Sequence, residues 1–267
     1  MICEITDPAD PRIEDYLDIR DRDVTGRNGV IAEGTVVLDQ LLASTRFVPT
    51  SLLVLRNRLD GLMPRLRSLP PHVPVYVAER AVMDAIAGFP IHRGVLAHAE
   101  RRDRSPIDLV ALAARKRTVL VCVGIANHDN MGAIFRNAAG FGAGAVLIDS
   151  QSCDPLYRKA VRVSVGTALT LPFERFEDLG DLGERLRQAG YAAVALTPQG
   201  GVPLATWRAD GPVALFVGAE GEGLPRALIA SMQALSIEMQ PGLDSLNVAT
   251  AAAIALHHVY AWAPSPA

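Results

Sequence analysis

Three short segments of this sequence carry polar side chains where an apolar strand pattern gives way to a helical pattern. The side chains that could do chemistry are Asn130 and Arg136 in the first segment, Glu220 in the second, and Ser245 and Asn247 in the third. Amides and hydroxyls donate and accept hydrogen bonds, a carboxylate accepts them, and a guanidinium group binds phosphate through a rigid fork. A parallel sheet places its ligand site at the carboxyl ends of its strands, so these positions are candidates for such a site.

The first segment reads Asn130-Met-Gly132-Ala-Ile-Phe-Arg136. Asn130 stands at the end of a loop, where it is a candidate N-cap for a helix over 131–141. Gly132 would cost up to about 1 kcal/mol in a helix relative to alanine, which indicates close approach by another backbone or a ligand. Arg136 lies one turn further on the same helix face, as a surface salt-bridge residue or as a ligand-binding group.

Two glycine-rich stretches could be phosphate-binding turns. The stretch 140–144 runs from a helix into a strand, the reverse of a phosphate-binding turn, so it predicts a helix C-terminus and a tight turn. The stretch 218–223 has strand-to-helix order but lacks the Lys-Ser/Thr pair of a P-loop. Gly218 and Gly223 permit a close backbone approach, and Glu220 adds an acceptor at a helix start, although a plain glycine turn has the same pattern.

The composition is that of a folded globular protein, with 267 residues, 49% apolar and 21% charged. The net charge of -3 argues against a uniformly basic nucleic-acid surface. The basic residues are nevertheless clustered, either as solvated surface or as phosphate-binding groups. The first cluster contains Arg101, Arg102, Arg104, Arg115, Lys116 and Arg117, and the second contains Arg158, Lys159 and Arg162.

Several function classes are disfavoured. Without an apolar run of roughly 18 to 20 residues or a leader-like start, we expect no membrane association and a cytoplasmic location. Cys3, Cys122 and Cys153 and the six histidines have no metal-like or disulfide spacing, so we expect no metal site. His128, beside the first segment, is the reserve candidate for a catalytic histidine.

Hydrophobic periodicity predicts two α/β domains. Residues 1–100 form the smaller one, with helices at 13–20, 35–44, 59–66 and 81–87 and strands at 51–55, 73–77 and 94–98. A charged linker over 101–117 follows. Residues 118–267 form the second, with buried strands at 118–124, 144–149, 191–197 and 212–217 and helices at 131–141, 177–190, 224–233 and 246–261. Their alternation predicts a largely parallel sheet.

Taken together and in this order, the three segments resemble the motifs of the SpoU (TrmH-like) branch of the knotted RNA methyltransferases. The resemblance is strong over 118–267, while 1–100 more loosely resembles an L7Ae-like RNA substrate-binding domain. It implies a methyltransferase that uses S-adenosyl-L-methionine and acts on a ribose 2′-hydroxyl of structured RNA. Ribosomal RNA is favoured over transfer RNA because of the N-terminal domain. It also implies a deep trefoil knot in the C-terminal domain and a homodimer that shares its catalytic pocket.

The resemblance also implies roles for individual residues. The donor contacts fall on Gly218, Ile237 and Leu246, with Leu196, Thr197 and Met239 beside them. The expected catalytic set is Arg136, Asn130, Glu220, Ser245 and Asn247. Because a guanidinium group resists deprotonation, we expect Arg136 to orient the target phosphate and hydroxyl and to stabilise alkoxide charge, with the proton acceptor left open. Arg158, Lys159 and Arg162 form a stripe that either faces RNA phosphates or is a solvated helix face.

Two positions depart from the family pattern. Glu238 stands where many members have proline, and Ala249 stands where many have serine. Two other functions stay open: a non-catalytic RNA-binding or ribosome-assembly factor on the same fold, and a knotted methyltransferase that modifies a base. The Asn-x-Gly-x-x-x-Arg pattern favours ribose over base as the target.

Overall fold

The computed structural model describes residues 2–17, 29–88, 91, 93–102, 105–198 and 200–262. The strands are β1 (Ile2–Ile5), β2 (Gly29–Glu33), β3 (Phe47–Leu55), β4 (Val75–Ala78), β5 (Val95–Arg101), β6 (Val119–Val123), β7 (Ala145–Asp149), β8 (Phe173–Phe176), β9 (Ala192–Leu196), β10 (Val202–Pro203), β11 (Val213–Gly218) and β12 (Gln233–Ser236). The α-helices are α1 (Thr35–Ala43), α2 (Leu59–Leu66), α3 (Arg80–Ala87), α4 (Leu109–Ala114), α5 (His128–Gly140), α6 (Arg158–Val163), α7 (Leu179–Gln188), α8 (Arg226–Ala230) and α9 (Val248–Trp262).

Contacts divide the chain into two compact units. Unit 1 consists of Met1–Ser105 and Asp154–Thr170, and unit 2 consists of Pro106–Cys153 and Leu171–Ala267. The compact units differ from the predicted limits of 1–100, 101–117 and 118–267 because the segment Asp154–Thr170 packs with the N-terminal residues. The predicted linker is also partly regular, since β5 extends to Arg101 and α4 lies within it.

Unit 1 is built on a five-stranded mixed sheet in the order β1-β4-β3-β5-β2. Strand β4 is parallel to β1 and β3, whereas β5 is antiparallel to β3 and β2. Successive side chains of β3 point to opposite faces, so Leu52 and Val54 enter one core while Leu53 and Leu55 enter the other. The first core also contains Val161 from α6, which explains why that segment belongs to this unit.

The predicted elements of unit 1 are largely present, with three differences. No strand was predicted at the positions of β1 and β2. The predicted helix over 13–20 is a short 3-10 helix, Pro11–Tyr16, and its last predicted residues lie outside the part of the chain that the structure describes. The likeness of this unit to an L7Ae-like domain stays a prediction.

Unit 2 contains a seven-stranded sheet in the order β10-β12-β9-β11-β6-β7-β8. Every strand pair in it is parallel, which confirms the predicted parallel α/β fold. Strands β6 and β7 are buried along their whole length, as expected for apolar strands covered on both faces. Strands β8, β10 and β12 had no prediction, because each is short and lacks a long apolar run. The trefoil knot remains a prediction.

Candidate functional site

A cavity of about 300 Å³ lies in unit 2, beside the carboxyl ends of β9 and β11 and the segment that follows β12. This is the position expected for the ligand site of a parallel sheet. Its lining includes all six residues predicted to contact the methyl donor: Leu196, Thr197, Gly218, Ile237, Met239 and Leu246. Parts of the chain that are distant in sequence therefore meet around one cavity.

The loop after β11 folds back tightly on itself. The Gly223 N–H donates to the Ala219 carbonyl at 3.0 Å, and a Cβ placed on Gly218 would lie 2.3 Å from the carbonyl carbon of Gly223. Gly218 thus lacks a side chain because the loop's own backbone occupies that space, rather than because a ligand alone requires it. Gly223 has open space around it, and its φ of +70° accounts for the glycine there.

Asn247 joins the polar residues of the three motifs. Its Nδ2 donates to Asn130 Oδ1 at 2.8 Å and to Glu220 Oε1 at 2.9 Å. Its Oδ1 accepts from the N–H groups of Ala249 at 3.0 Å and Thr250 at 3.2 Å, which caps α9. Both atoms of the Asn247 side-chain amide therefore form hydrogen bonds: the oxygen caps α9, and the nitrogen links the first and second motifs.

The cap predicted for α5 at Asn130 was wrong. Asn127, rather than Asn130, caps α5, because its Oδ1 accepts from the N–H groups of Asp129 and Asn130. Asn130 lies inside the first turn and is buried, which frees its side chain to meet Asn247. At the start of α9, Asn247 rather than Ser245 caps the helix, and Ser245 lies in the cavity lining.

A second group of residues, missed from the sequence, supports the turn before α5. Asp149 ends β7, and its carboxylate accepts from the Gly124 N–H at 3.0 Å and from the Ser152 hydroxyl at 2.5 Å. The Ser152 hydroxyl oxygen accepts from the Ile125 N–H at 2.8 Å, and Arg175 donates to the carbonyls of Asp149 and Ser152. The sequence signal for this group was Asp149, a carboxylate at the end of the apolar strand β7. Strand β7 lies next to β6, the strand that precedes the first motif.

Arg136 stands apart from the cavity. It is exposed on α5, it is not among the lining residues, and its side chain has no hydrogen bond or ion pair within the described part of the chain. Its neighbour Asn137 donates to the Ala249 carbonyl at 2.9 Å, which ties α5 to α9. The guanidinium group of Arg136 is thus held on a well-anchored helix and points to solvent within a single chain.

The electrostatic character of the cavity is acidic and apolar. Glu220 lies in the lining, whereas no described lysine, arginine or histidine does. The remaining walls are mainly aliphatic side chains and backbone. A flat apolar group with a positive charge nearby suits these walls, and a negatively charged phosphate suits them less, because Glu220 would repel it and no described cationic side chain would pair with it.

The predicted RNA-contact stripe lies on α6, in unit 1. Arg158 donates to Glu33 at 2.7 Å in an ion pair whose side chains are only 18% and 6% exposed. That contact makes Arg158 a packing and charge partner of β2, whereas Lys159 and Arg162 are exposed. The structure thus separates Arg158 from the other two.

Further observations concern Cys122, possible metal ligands and membrane-spanning helices. Burial raises the pKa of the Cys122 thiol well above its usual range, as expected for an inert core cysteine. Among the described residues, no cluster of histidine, cysteine, aspartate or glutamate could hold a metal ion. A search of the same residues finds no helix long and apolar enough to cross a membrane.

The chain is similar to a known family, to named relatives and to solved structures. The profile of the SpoU rRNA Methylase family matches residues 117–257. A protein of Mycobacterium bovis named as an uncharacterised tRNA/rRNA methyltransferase is 41% identical over 266 residues, covering 96% of this chain and 91% of the relative. A 23S rRNA (guanosine-2′-O-)-methyltransferase RlmB of Photobacterium profundum is 30% identical over 209 residues, covering 76% of this chain and 85% of the relative.

The fold is similar to that of a solved rRNA methyltransferase from Sinorhizobium meliloti with bound AdoMet. The two superpose with a TM-score of 0.82 over 99% of both chains, at 24% sequence identity. This likeness covers both compact units.

Proposed function

This chain belongs to the SpoU rRNA Methylase family, and we therefore propose that it transfers a methyl group from S-adenosylmethionine to a ribose 2′-hydroxyl in structured RNA. The observation that carries the proposal is the junction at Asn247, which links the three motifs beside the cavity. The relative from Photobacterium profundum is named for 2′-O-methylation of 23S rRNA, which supports both the ribose target and ribosomal RNA.

The residues around the cavity fit S-adenosylmethionine. Leu196, Ile237 and Leu246 offer aliphatic walls for a flat adenine ring, and the Glu220 carboxylate offers a negative charge for a sulfonium centre. When bound, the cofactor supplies an electrophilic methyl group. Among the described lining residues Glu220 is charged and none is cationic, which favours this positively charged donor over a nucleotide with a phosphate chain.

The polar groups beside the cavity would hold the target ribose. Ser245 and Asn247 lie in the lining, and Asn130 is held by Asn247 at the inner side of the same junction. We assign these side chains to positioning the ribose and its 2′-hydroxyl. Glu220 and Asn247 hold each other in place, so loss of either one disturbs the other.

Arg136 does not line the cavity of its own chain. It is exposed, outside the lining and without a side-chain partner in the described residues. We propose a homodimer in which each protomer presents Arg136 to the cavity of the other. There the guanidinium would orient the substrate phosphate and stabilise the charge that develops on the 2′-oxygen.

Unit 1 and the basic residues on it would contribute to RNA recognition. We propose that Lys159 and Arg162, which are exposed on α6, bind RNA phosphates, while Arg158 maintains the local structure through Glu33. An L7Ae-like role for this unit fits ribosomal RNA as the substrate. We propose that the enzyme acts in the cytoplasm.

The test is methyl transfer from tritium-labelled S-adenosylmethionine to total RNA from a strain that lacks the gene. We expect label in one RNA species, at one position that resists alkaline cleavage, because a methylated 2′-oxygen cannot attack its own phosphate. Arg136→Ala should abolish the label while donor binding, measured by calorimetry, is retained. Arg187→Gln, an exposed arginine already paired with Glu184, is the matched control.

Three results would contradict parts of this scheme. No label with any RNA would refute the methyltransferase activity, and label in a position that alkali still cleaves would indicate a base as the target. Full activity of Arg136→Ala would remove that residue from the mechanism. Sedimentation that shows only monomer at micromolar concentration would refute the shared cavity.

A further inference from the structure

A basic and aromatic surface lies in unit 2, away from the cavity described above. We define it as the basic-aromatic patch, formed by Lys116, Arg117, Arg208, Tyr260 and Trp262. A small cavity of about 70 Å³ at its centre is lined by Lys116, Arg208 and Trp262, together with His258. The first basic cluster of the sequence thus meets the end of the last helix.

Trp262 has one ring face covered by a cation and is otherwise open. The guanidinium carbon of Arg208 lies 3.7 Å from the ring centroid, a cation–π contact. Arg208 is held there because it also donates to the carbonyls of Ala205 at 3.0 Å and Trp207 at 2.6 Å. Trp262 is still 60% exposed, and Tyr260 is 54% exposed. The remaining face of the indole is therefore accessible among the described residues.

The charge of the patch opposes the charge of the whole chain. Lys116, Arg117 and Arg208 are all exposed, and none of them forms an ion pair with a carboxylate in the described part of the chain. Arg117 donates to the Gly142 carbonyl at 3.2 Å, which neutralises no charge. Asp210 is the acidic residue in the small cavity's lining. A chain with a net charge of -3 thus concentrates unpaired positive charge beside two exposed aromatic rings.

The patch and the candidate site lie at opposite ends of the same elements. Lys116 and Gly211 precede β6 and β11, whereas Gly218 ends β11 in the wall of the larger cavity. Helix α9 begins beside that larger cavity and ends at Trp262. A helix of 15 residues is about 22 Å long, so a bound RNA strand would have to extend a few nucleotides to contact both places.

We propose that the basic-aromatic patch binds a single-stranded stretch of the RNA substrate, outside the methylated nucleotide. A nucleobase stacks on the open face of Trp262, and backbone phosphates contact Lys116, Arg117 and Arg208. Exposed aromatic rings beside unpaired cations are the pairing that binds single strands, because every base has a face that stacks and every nucleotide carries a phosphate. This inference rests on the proposed function and adds to it the place where the flanking RNA is held.

The first measurement is quenching of tryptophan fluorescence by a short oligoadenylate. The chain has two tryptophans, and Trp207 is only 7% exposed, so quenching by stacking reports mainly on Trp262. We expect quenching in the wild type. Because Trp262→Ala also removes the fluorophore, its RNA affinity is measured by filter binding, and we expect it to be weaker by about 5-fold to about 150-fold, the loss typical of one stacked base. Trp262→Phe keeps an aromatic face and should restore most of the affinity.

A charge variant tests the phosphate contacts. Lys116 has a φ of +53°, a conformation that asparagine tolerates well, so Lys116→Asn removes the charge and should fold normally. It should lower the slope of log affinity against log salt by about 0.7, the value for one phosphate contact of a single strand. The KM for RNA should rise in both Lys116→Asn and Trp262→Ala, with kcat and donor affinity unchanged. Arg187→Gln should change none of these.

The outcomes separate the two proposals. Methyl transfer by the wild type with an unchanged RNA affinity and KM in Trp262→Ala would overturn the patch and leave the enzyme activity standing. Absence of methyl transfer together with Trp262-dependent quenching would support the patch and refute the activity. A change in sedimentation of Trp262→Ala from dimer to monomer, without loss of RNA affinity, would identify the patch as an interface between copies and overturn the proposal.

Discussion

The junction at Asn247 predicts a large effect from a change of a single atom. Asn247→Asp replaces Nδ2 by oxygen and leaves the shape of the side chain almost unchanged. The cap of α9 is retained, because aspartate accepts from the N–H groups of Ala249 and Thr250 as well as asparagine does. The donors to Asn130 and Glu220 are lost, and a carboxylate oxygen now faces the Glu220 carboxylate.

The free-energy cost follows from these contacts. Each lost hydrogen bond contributes about 0.5–1.5 kcal/mol, with the higher value for the contact to buried Asn130 and the lower one for exposed Glu220. Repulsion between the two carboxylates adds about 1 kcal/mol in water-like surroundings. A negative charge at the start of α9 recovers about 0.5 kcal/mol. The net loss is about 2.5 kcal/mol, enough to weaken donor binding by up to about 70-fold if it all falls on the cavity.

Urea unfolding followed by tryptophan fluorescence measures this loss, because Trp207 and Trp262 both belong to unit 2. Calorimetry with S-adenosylmethionine measures the effect on the cavity. Asn247→Ser is the matched control, since serine also caps a helix and loses the same donors without adding charge; it should fall between the wild type and Asn247→Asp. An unchanged urea midpoint together with unchanged donor affinity in Asn247→Asp would refute the idea that this amide holds the three motifs together.

Three further predictions concern other parts of the molecule. Gly218→Ala should abolish donor binding, because the new Cβ would lie 2.3 Å from the backbone of the returning loop. Gly140→Ala is the control and should leave binding intact, because a Cβ at Gly140 would have no heavy atom within 4 Å. Calorimetry with the donor on both variants checks this. Glu33→Gln should destabilise unit 1 by about 3 kcal/mol, as expected when a buried ion pair loses one charge, and a circular dichroism urea midpoint equal to that of the wild type would exclude a stabilising role for Arg158. Burial lowers the pKa of His98, although the nearby charges of Asp15 and Glu100 act in the opposite direction. As the pH falls, the unfolded chain therefore takes up the proton before the folded chain does, and the stability should fall below about pH 6.5. His98→Gln should show a smaller change in urea midpoint than the wild type between about pH 7.5 and about pH 5.5.

The contrast between prediction and structure is clearest at the first motif. The run from Asn127 to Asn130 offers two asparagines that could each cap a helix, and local preference does not choose between them. Packing chooses, because Asn130 is buried against Asn247 while Asn127 meets the N–H groups of the first turn. Tertiary packing therefore determines which residue caps a helix, even where the sequence shows that the residue belongs to a motif.

The segment Asp154–Thr170 illustrates the same limit at the level of the whole chain. It follows the first motif in the chain, and continuity along the chain suggested one uninterrupted C-terminal domain over 118–267. Val161 and Leu169 instead enter the core of unit 1, with side chains from strands and helices more than 60 residues earlier in the chain. No local pattern of apolar residues specifies which distant surface they will cover.

By itself, the sequence determined the parallel α/β character of unit 2, because buried parallel strands are long apolar runs that can be read locally. Its resemblance to a known family, carried by the three motifs, implied six residues that do lie in the lining of the cavity. Only the tertiary structure decided that Asn247 joins Asn130 to Glu220, that Gly218 makes room for the chain's own backbone, and that Trp262 meets Arg208. These contacts depend on distances and directions between residues far apart in the chain, which are set by how helices and strands pack and not by any pattern within one segment.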